Sequence, residues 1–219
     1  MITLIKDEDL KQAVDYSEGQ KTAAYMVLGE IVNLLNEFAD NIRIIGGWVP
    51  TLLYPESDHI GSIDVDVLLN QLEIKKAESY KTIKRLLVQN GYAKHPEKYF
   101  TFVKTVVVQG VKYDVDVDFL SGKYGGDRGN VSKPKDAYDI YCTIDNYPGG
   151  VKALAIEFAP YIDKEFVQKM KEKLQEKFAS VDHAGPADIV SFIGITDEDE
   201  IARVKQDAYQ KVNYLISKL

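Results

Sequence analysis

Residues 42–70 read IRIIGGWVPTLLYPESDHIGSIDVDVLLN, and the order of signals inside them decides the fold. Ile42 to Ile45 form a short apolar run that breaks at Gly46-Gly47, residues that allow a tight turn and a close approach of backbone to a ligand. Helical spacing follows over 48–54, and from 63 to 69 apolar residues alternate with Asp64 and Asp66. The predicted order is strand, glycine turn, short helix, loop, acidic strand. Successive side chains of a strand leave opposite faces, so Asp64 and Asp66 are expected on one face with Ile63, Val65 and Val67 on the other. Neighbouring carboxylates repel unless a cation lies between them or one takes a proton. Mg2+ is commonly held by one or two carboxylates together with substrate phosphates, and N–H groups at a glycine turn that opens a helix suit phosphate. The two halves of the stretch imply a metal–nucleotide site.

A second acidic run lies downstream. Residues 112–120, KYDVDVDFL, alternate in the same way, with Asp114, Asp116 and Asp118 on one face and Val115, Val117 and Phe119 on the other. Asp116 and Asp118 both stand between hydrophobic residues. Asp118 is preferred as the third carboxylate, Asp116 stays close behind, and Asp114 is expected near the rim. A glycine pair, a spacer, Asp-x-Asp between hydrophobics and a further acidic residue on a later strand resemble the signature of the DNA polymerase beta type nucleotidyltransferase superfamily. Within it the chain is most similar to the bacterial group that includes the AbiEii-type toxins of abortive-infection and toxin–antitoxin systems. That group has a Lys/Arg-Asp-x-x-Asp signature after the sheet, which Lys135-Asp136-Ala137-Tyr138-Asp139 fits. The chain departs from the group in carrying His59-Ile60-Gly61-Ser62 where an arginine is common, and in placing bulky Trp48 after the glycine pair.

The resemblance implies a nucleotidyltransferase-like mixed sheet flanked by helices and a Mg2+- or Mn2+-dependent transfer of NMP from an NTP such as ATP to an acceptor hydroxyl. Asp64, Asp66 and Asp118 would hold the metal, with Asp116 as the other candidate for the third carboxylate. Gly46, Gly47 and Ser62, the cationic Lys123 and the signature residues Lys135, Asp136 and Asp139 would lie at the nucleotide. The acceptor is left open among RNA or tRNA, a protein, and a small molecule such as an aminoglycoside or lincosamide. So are an antitoxin partner and a non-catalytic nucleotide-binding module of the same fold.

Composition sets wider limits. With 219 residues, 45% hydrophobic and 28% charged, the chain is long enough for one substantial core or a domain with a helical appendage. No apolar run approaches the roughly 18–20 residues of a membrane helix, and the start MITLIKDEDL has no signal-peptide layout, so a cytoplasmic protein is expected. The single Cys142 forms no intramolecular disulfide and suits packing. A net charge of −7 and a pI of about 5.1 argue against non-specific nucleic-acid binding. His59, His95 and His183 lack zinc-ligand spacing.

Along the chain, residues 1–16 suggest a short helix or arm. Ser17 with Gln20 forms a capping box ahead of a helix running to Phe38. A second amphipathic helix is predicted over 73–90, with Ile83, Leu86 and Leu87 inward and Asn90-Gly91 at its end. Runs 99–108 and 111–120 around Gln109-Gly110 read as a hairpin. The loop 121–135 carries Lys123, Arg128, Lys133 and Lys135 next to the acidic strand. Helices are predicted at 136–145, 151–159, 161–179, 186–193 and 197–217, the last behind a cap at Thr196 with Asp199. This gives an α/β domain over 1–133, nucleotidyltransferase-like by the resemblance, and a helical C-terminal region over 134–219 expected to pack on it without a flexible linker. Asp136 also has a plainer reading as a helix N-terminal charge, and Trp48 one as packing.

Overall fold

The computed structural model describes residues 12–70, 77–121 and 133–219. The expected arm at 1–11, the helix start at 73–76, and Lys123 and Arg128 lie outside the described residues. The rest is mixed α/β, as expected: a five-stranded sheet with helices on it, and a helical C-terminal region. Two compact units share the chain. The first holds Tyr16–Val49 and the described part of Gly61–Gly129; the second holds 12–15, Pro50–Ile60 and the described part of Asn130–Leu219. The second unit thus takes in two segments from well within the first 133 residues.

In the first unit, α1 (Glu18–Leu34) starts where the sequence places it. Ser17 Oγ accepts from the Gln20 N–H at 3.3 Å and Gln20 Oε1 accepts from the Ser17 N–H at 3.2 Å, closing the capping box. The helix stops four residues before Phe38, because a 3-10 stretch (Asn36–Asn41) tightens the chain ahead of the first strand. Ala23, Ala24, Val27, Leu28 and Ile31 are its buried stripe. Full burial of each larger one stabilises the fold by about 1.5–3 kcal/mol.

The strands are β1 (Ile42–Ile45), β2 (Val65–Leu69), β3 (Ala93–Lys94), β4 (Thr101–Val108) and β5 (Val111–Ser121), in spatial order β1-β2-β5-β4-β3. β2 and β5 run parallel and the other pairs antiparallel. One face of β2 and β5 presents Val65, Val67, Leu69, Val115, Val117 and Phe119, which form one core with α1 and with Ile83 and Leu87 of α3 (Ala77–Gln89), the helix that follows the short α2 (Val49–Leu53) in the chain. The other face carries the aspartates. The hairpin turn has both central residues at positive φ, Gln109 at 50° and Gly110 at 81°, which matches the twist of the flanking strands. Two-residue β3 has no signal long enough to be read from sequence.

In the second unit, α4 (Pro134–Asp145), α5 (Gly150–Phe158), α6 (Glu165–Lys177), α7 (Ala184–Ile193) and α8 (Glu198–Ile216) bury Ala137, Ile144, Leu154, Val167, Leu174, Phe178, Ile189, Val204 and Val212 in a second core. Most ends lie within two residues of expectation, and two of the differences have a local cause. α6 starts at Glu165, since Pro160 lies in a 3-10 turn (Ala159–Tyr161). α8 is capped one residue later than expected, by Asp197 accepting from the Glu200 N–H at 2.9 Å; a carboxylate is at least as good a cap as the Thr196 hydroxyl. Among the described residues no helix is long and apolar enough to cross a membrane.

Candidate active site

The parallel register of β2 and β5 pairs Asp66 directly with Asp118, so these two carboxylates share a face on adjacent strands. Next along β5 on the same face stand Asp116, half-buried, and Asp114, exposed at the rim. Across the β4–β5 ladder Asp118 faces Thr101, Asp116 faces Val103 and Asp114 faces Thr105. The Thr101 hydroxyl donates to Asp118 Oδ1, and that of Thr105 to Asp114 Oδ1 at 2.5 Å. The register thus sets Asp118, not Asp116, opposite Asp66.

Asp64 reaches its place by another route than alternation. The β2 ladder begins at Val65, so Asp64 stands just before the strand rather than on it, a correction to the expected 63–69 strand. Two contacts hold it there. Trp48 Nε1 donates to the Asp64 carbonyl at 2.7 Å, and the buried Ser62 hydroxyl donates to Asp64 Oδ1 at 2.6 Å. Trp48 is core packing, tilted against Tyr25 with ring centroids 5.5 Å apart. Its ring lies over Gly61, where a Cβ would stand 3.0 Å from Cζ3. Ser62 thus orients a carboxylate.

The glycine turn closes the group. Ile45 pairs with Asp66 across the β1–β2 ladder, and Gly46 follows at φ 71°. A Cβ on Gly46 would overlap the Asp66 carboxylate, so only glycine lets the turn lie against it. Gly46 is exposed and Gly47 is buried, which leaves Gly46 as the accessible backbone of the pair.

Sequence reading missed Lys98. From the β3–β4 loop its ammonium meets Asp116 Oδ2 at 2.6 Å. The hydrogen bond to Asp116 holds its pKa above the ordinary lysine value against some desolvation, and the charges of Asp116, Asp118 and Asp64 add to it. The only sequence signal was its position in a loop near the acidic strand.

Lys135, Asp136 and Asp139 belong to the second unit, and each is engaged there. Asp139 Oδ1 accepts from His59 Nε2 at 2.8 Å, and both its oxygens accept from Lys135 Nζ at 2.9 Å. His59 Nδ1 meets the Thr51 hydroxyl at 2.8 Å, and the ring stacks on Tyr138 at 5.2 Å. The His59 side chain is 0% exposed, against 19% for Asp139 and 11% for Lys135. A carboxylate only accepts, so Nε2 carries a proton. Asp136 Oδ2 accepts from the Lys133 N–H at 3.0 Å at the start of α4, the helix-terminal role; burial pushes its pKa up. Cys142 is half-buried and its thiol is pushed up to about 12 by burial, which suits packing and not nucleophilic work.

The acid-face donor set is made of side-chain oxygens alone, the chemistry a hard divalent cation takes, and the space a Gly46 Cβ would fill lies at Asp66. As arranged, no three His, Cys, Asp or Glu side chains among the described residues converge on one metal position; Ser62, Thr101 and Lys98 instead take up Asp64, Asp118 and Asp116. Comparison of the chain with known protein families, with curated proteins and with solved structures found no match to any of them.

Proposed function

We propose that the acid face of the first unit is the active centre of a divalent-metal-dependent nucleotidyl transfer from a nucleoside triphosphate to a hydroxyl. The observation that carries this reading is the parallel pairing of Asp66 with Asp118, with Gly46 packed against Asp66 in a space closed to any other residue. Asp64, Asp66 and Asp118 would hold Mg2+ or Mn2+. When bound, the metal supplies charge neutralisation on the phosphates and a lowered pKa for the attacking hydroxyl.

The protein's own groups divide the remaining work. Ser62 and Trp48 fix Asp64, and Thr101 fixes Asp118, so neither carboxylate has to be ordered when substrate arrives. The exposed Gly46 backbone is where a phosphate oxygen can come closest to Asp66. The acceptor oxygen forms a bond to the α-phosphorus, the bond from that phosphorus to the bridging oxygen breaks, and pyrophosphate leaves. The hydroxyl proton passes to a carboxylate on β5, Asp118 or Asp116. Lys135, Asp136 and Asp139 have structural work in the second unit, so their assignment to the nucleotide rests on the resemblance.

Calorimetric titration of each ribonucleoside triphosphate with Mg2+ tests the reading, using the wild type and an Asp64→Ala, Asp66→Ala double variant. Metal-dependent binding to the wild type alone supports it; metal-independent binding, or equal binding to the double variant, overturns it. Labelled nucleotide offered with RNA, protein and aminoglycosides then identifies the acceptor class.

A further inference from the structure

Among the described residues the acid face is met by Lys98, a cation of the protein's own, and the loop that carries it is built to hold it. His95 Nδ1 accepts from the Glu97 N–H at 3.1 Å and from the Lys98 N–H at 3.0 Å, which folds residues 95–98 into a fixed turn. Lys94 Nζ lies 4.3 Å from the centroid of the Tyr99 ring and braces the far side of that turn. The ladder bond from the His95 N–H to the Thr101 carbonyl, at 3.0 Å, ties the loop to the strand that also bears the Asp118 donor. The Lys98 ammonium then falls among carboxylates from two segments: it is bonded to Asp116 and feels Asp118 and Asp64.

From this geometry we infer that Lys98 is a tethered counter-ion of the acid face, which sets how tightly that face takes a free divalent cation. The inference rests on the reaction proposed above. A fixed positive charge beside Asp116 lowers the attraction of the carboxylates for another cation, by an amount that falls with solvent screening. The same charge attracts a triphosphate. Metal alone is therefore disfavoured, and metal already paired with nucleotide is not. Lys98 is a positioning residue: it acts through the carboxylates' charge and takes no proton or phosphoryl group.

Free Mn2+ binding to the intact protein, followed by loss of the paramagnetic signal of the hydrated ion, tests this directly. Lys98 is on an exposed loop, so Lys98→Ala and Lys98→Arg should both fold. Lys98→Ala should bind Mn2+ about three- to tenfold more tightly than the wild type at low salt, with the gap closing as salt rises. Lys98→Arg should match the wild type. Equal finite affinity in the wild type and Lys98→Ala, or weaker binding in the variant, overturns the counter-ion role and leaves the proposed reaction standing. If neither protein takes up Mn2+ alone, the counter-ion role falls, and the titration of triphosphate with Mg2+ decides the proposed reaction separately.

Discussion

The acid face of the first unit and the His59 cluster of the second are made from the same parts, carboxylates facing nitrogen donors, at opposite extremes of burial. Lys98 is 54% exposed and Asp116 29%, so water and salt reach that pair and its exchange for another cation is cheap. His59 is sealed between Thr51 and Asp139, against the Tyr138 ring, and Asp139 is shared with Lys135. A group buried this far loses the full cost of desolvation if a partner is taken away. Polar side chains in clusters are therefore not one kind of evidence. The exposed cluster keeps charges that a ligand can reorganise, and the sealed one has spent its polar groups on holding the chain.

The comparison can be broken from either side. The largest expected effect is catalytic: Asp66→Asn should lower transfer about a thousandfold or more, while thermal unfolding stays within about 3 °C of the wild type or rises, since one of the like charges is gone. A large fall in stability would place Asp66 with the structural cluster. The reverse is expected of Asp139→Ala, which should cost about 2–4 kcal/mol in urea unfolding because His59 and Lys135 lose their acceptor. Asp139→Asn keeps an acceptor for His59 and should recover part of that loss.

Next in size is Gly46→Ala. Positive φ for alanine costs about 1–2 kcal/mol, and the methyl must displace the Asp66 carboxylate, so Mn2+ affinity should fall together with stability. Loss of stability with unchanged Mn2+ binding would separate the turn from the site. The smallest effect concerns Cys142. Burial pushes its thiol up to about 12 from the ordinary 9.0, so its contribution to stability is complete below pH 9 and is lost as pH rises toward 12. Iodoacetamide labelling at pH 9 should run about five-hundredfold slower on the native protein than on the urea-unfolded chain, following thiolate content.

Local signals in the sequence reached as far as local physics does. Ser17 with Gln20, the β1 run, the Gln109-Gly110 hairpin and the β5 alternation each depend on neighbours a few residues away, and each is found where the pattern puts it. Alternation failed at Asp64, whose place comes from Trp48, sixteen residues upstream, and from Ser62, not from strand pleat. Lys98 has no periodic signal because it sits in a turn fixed by the His95 ring. The His59–Asp139 bond joins residues 80 apart, and nothing in the spacing of either residue announces it. The preference for Asp118 over Asp116 agrees with the register, but the alternation of β5 itself treats the two alike.

Residues Pro50–Ile60 pack with the second unit, yet on the chain they stand between Trp48 and Ser62, both of which bond to Asp64 in the first. The order of synthesis gives this arrangement a history. Thr51 and His59 leave the ribosome long before Asp139 exists, so the segment has to wait as an open loop while β2 and then β5 are made. The partners that lock it arrive only with α4. A chain stopped at residue 133 would hold every acidic residue of the proposed centre and still lack the lock on the loop that connects its two framing segments. Synthesis of α4 is thus the point at which that loop gains its partners.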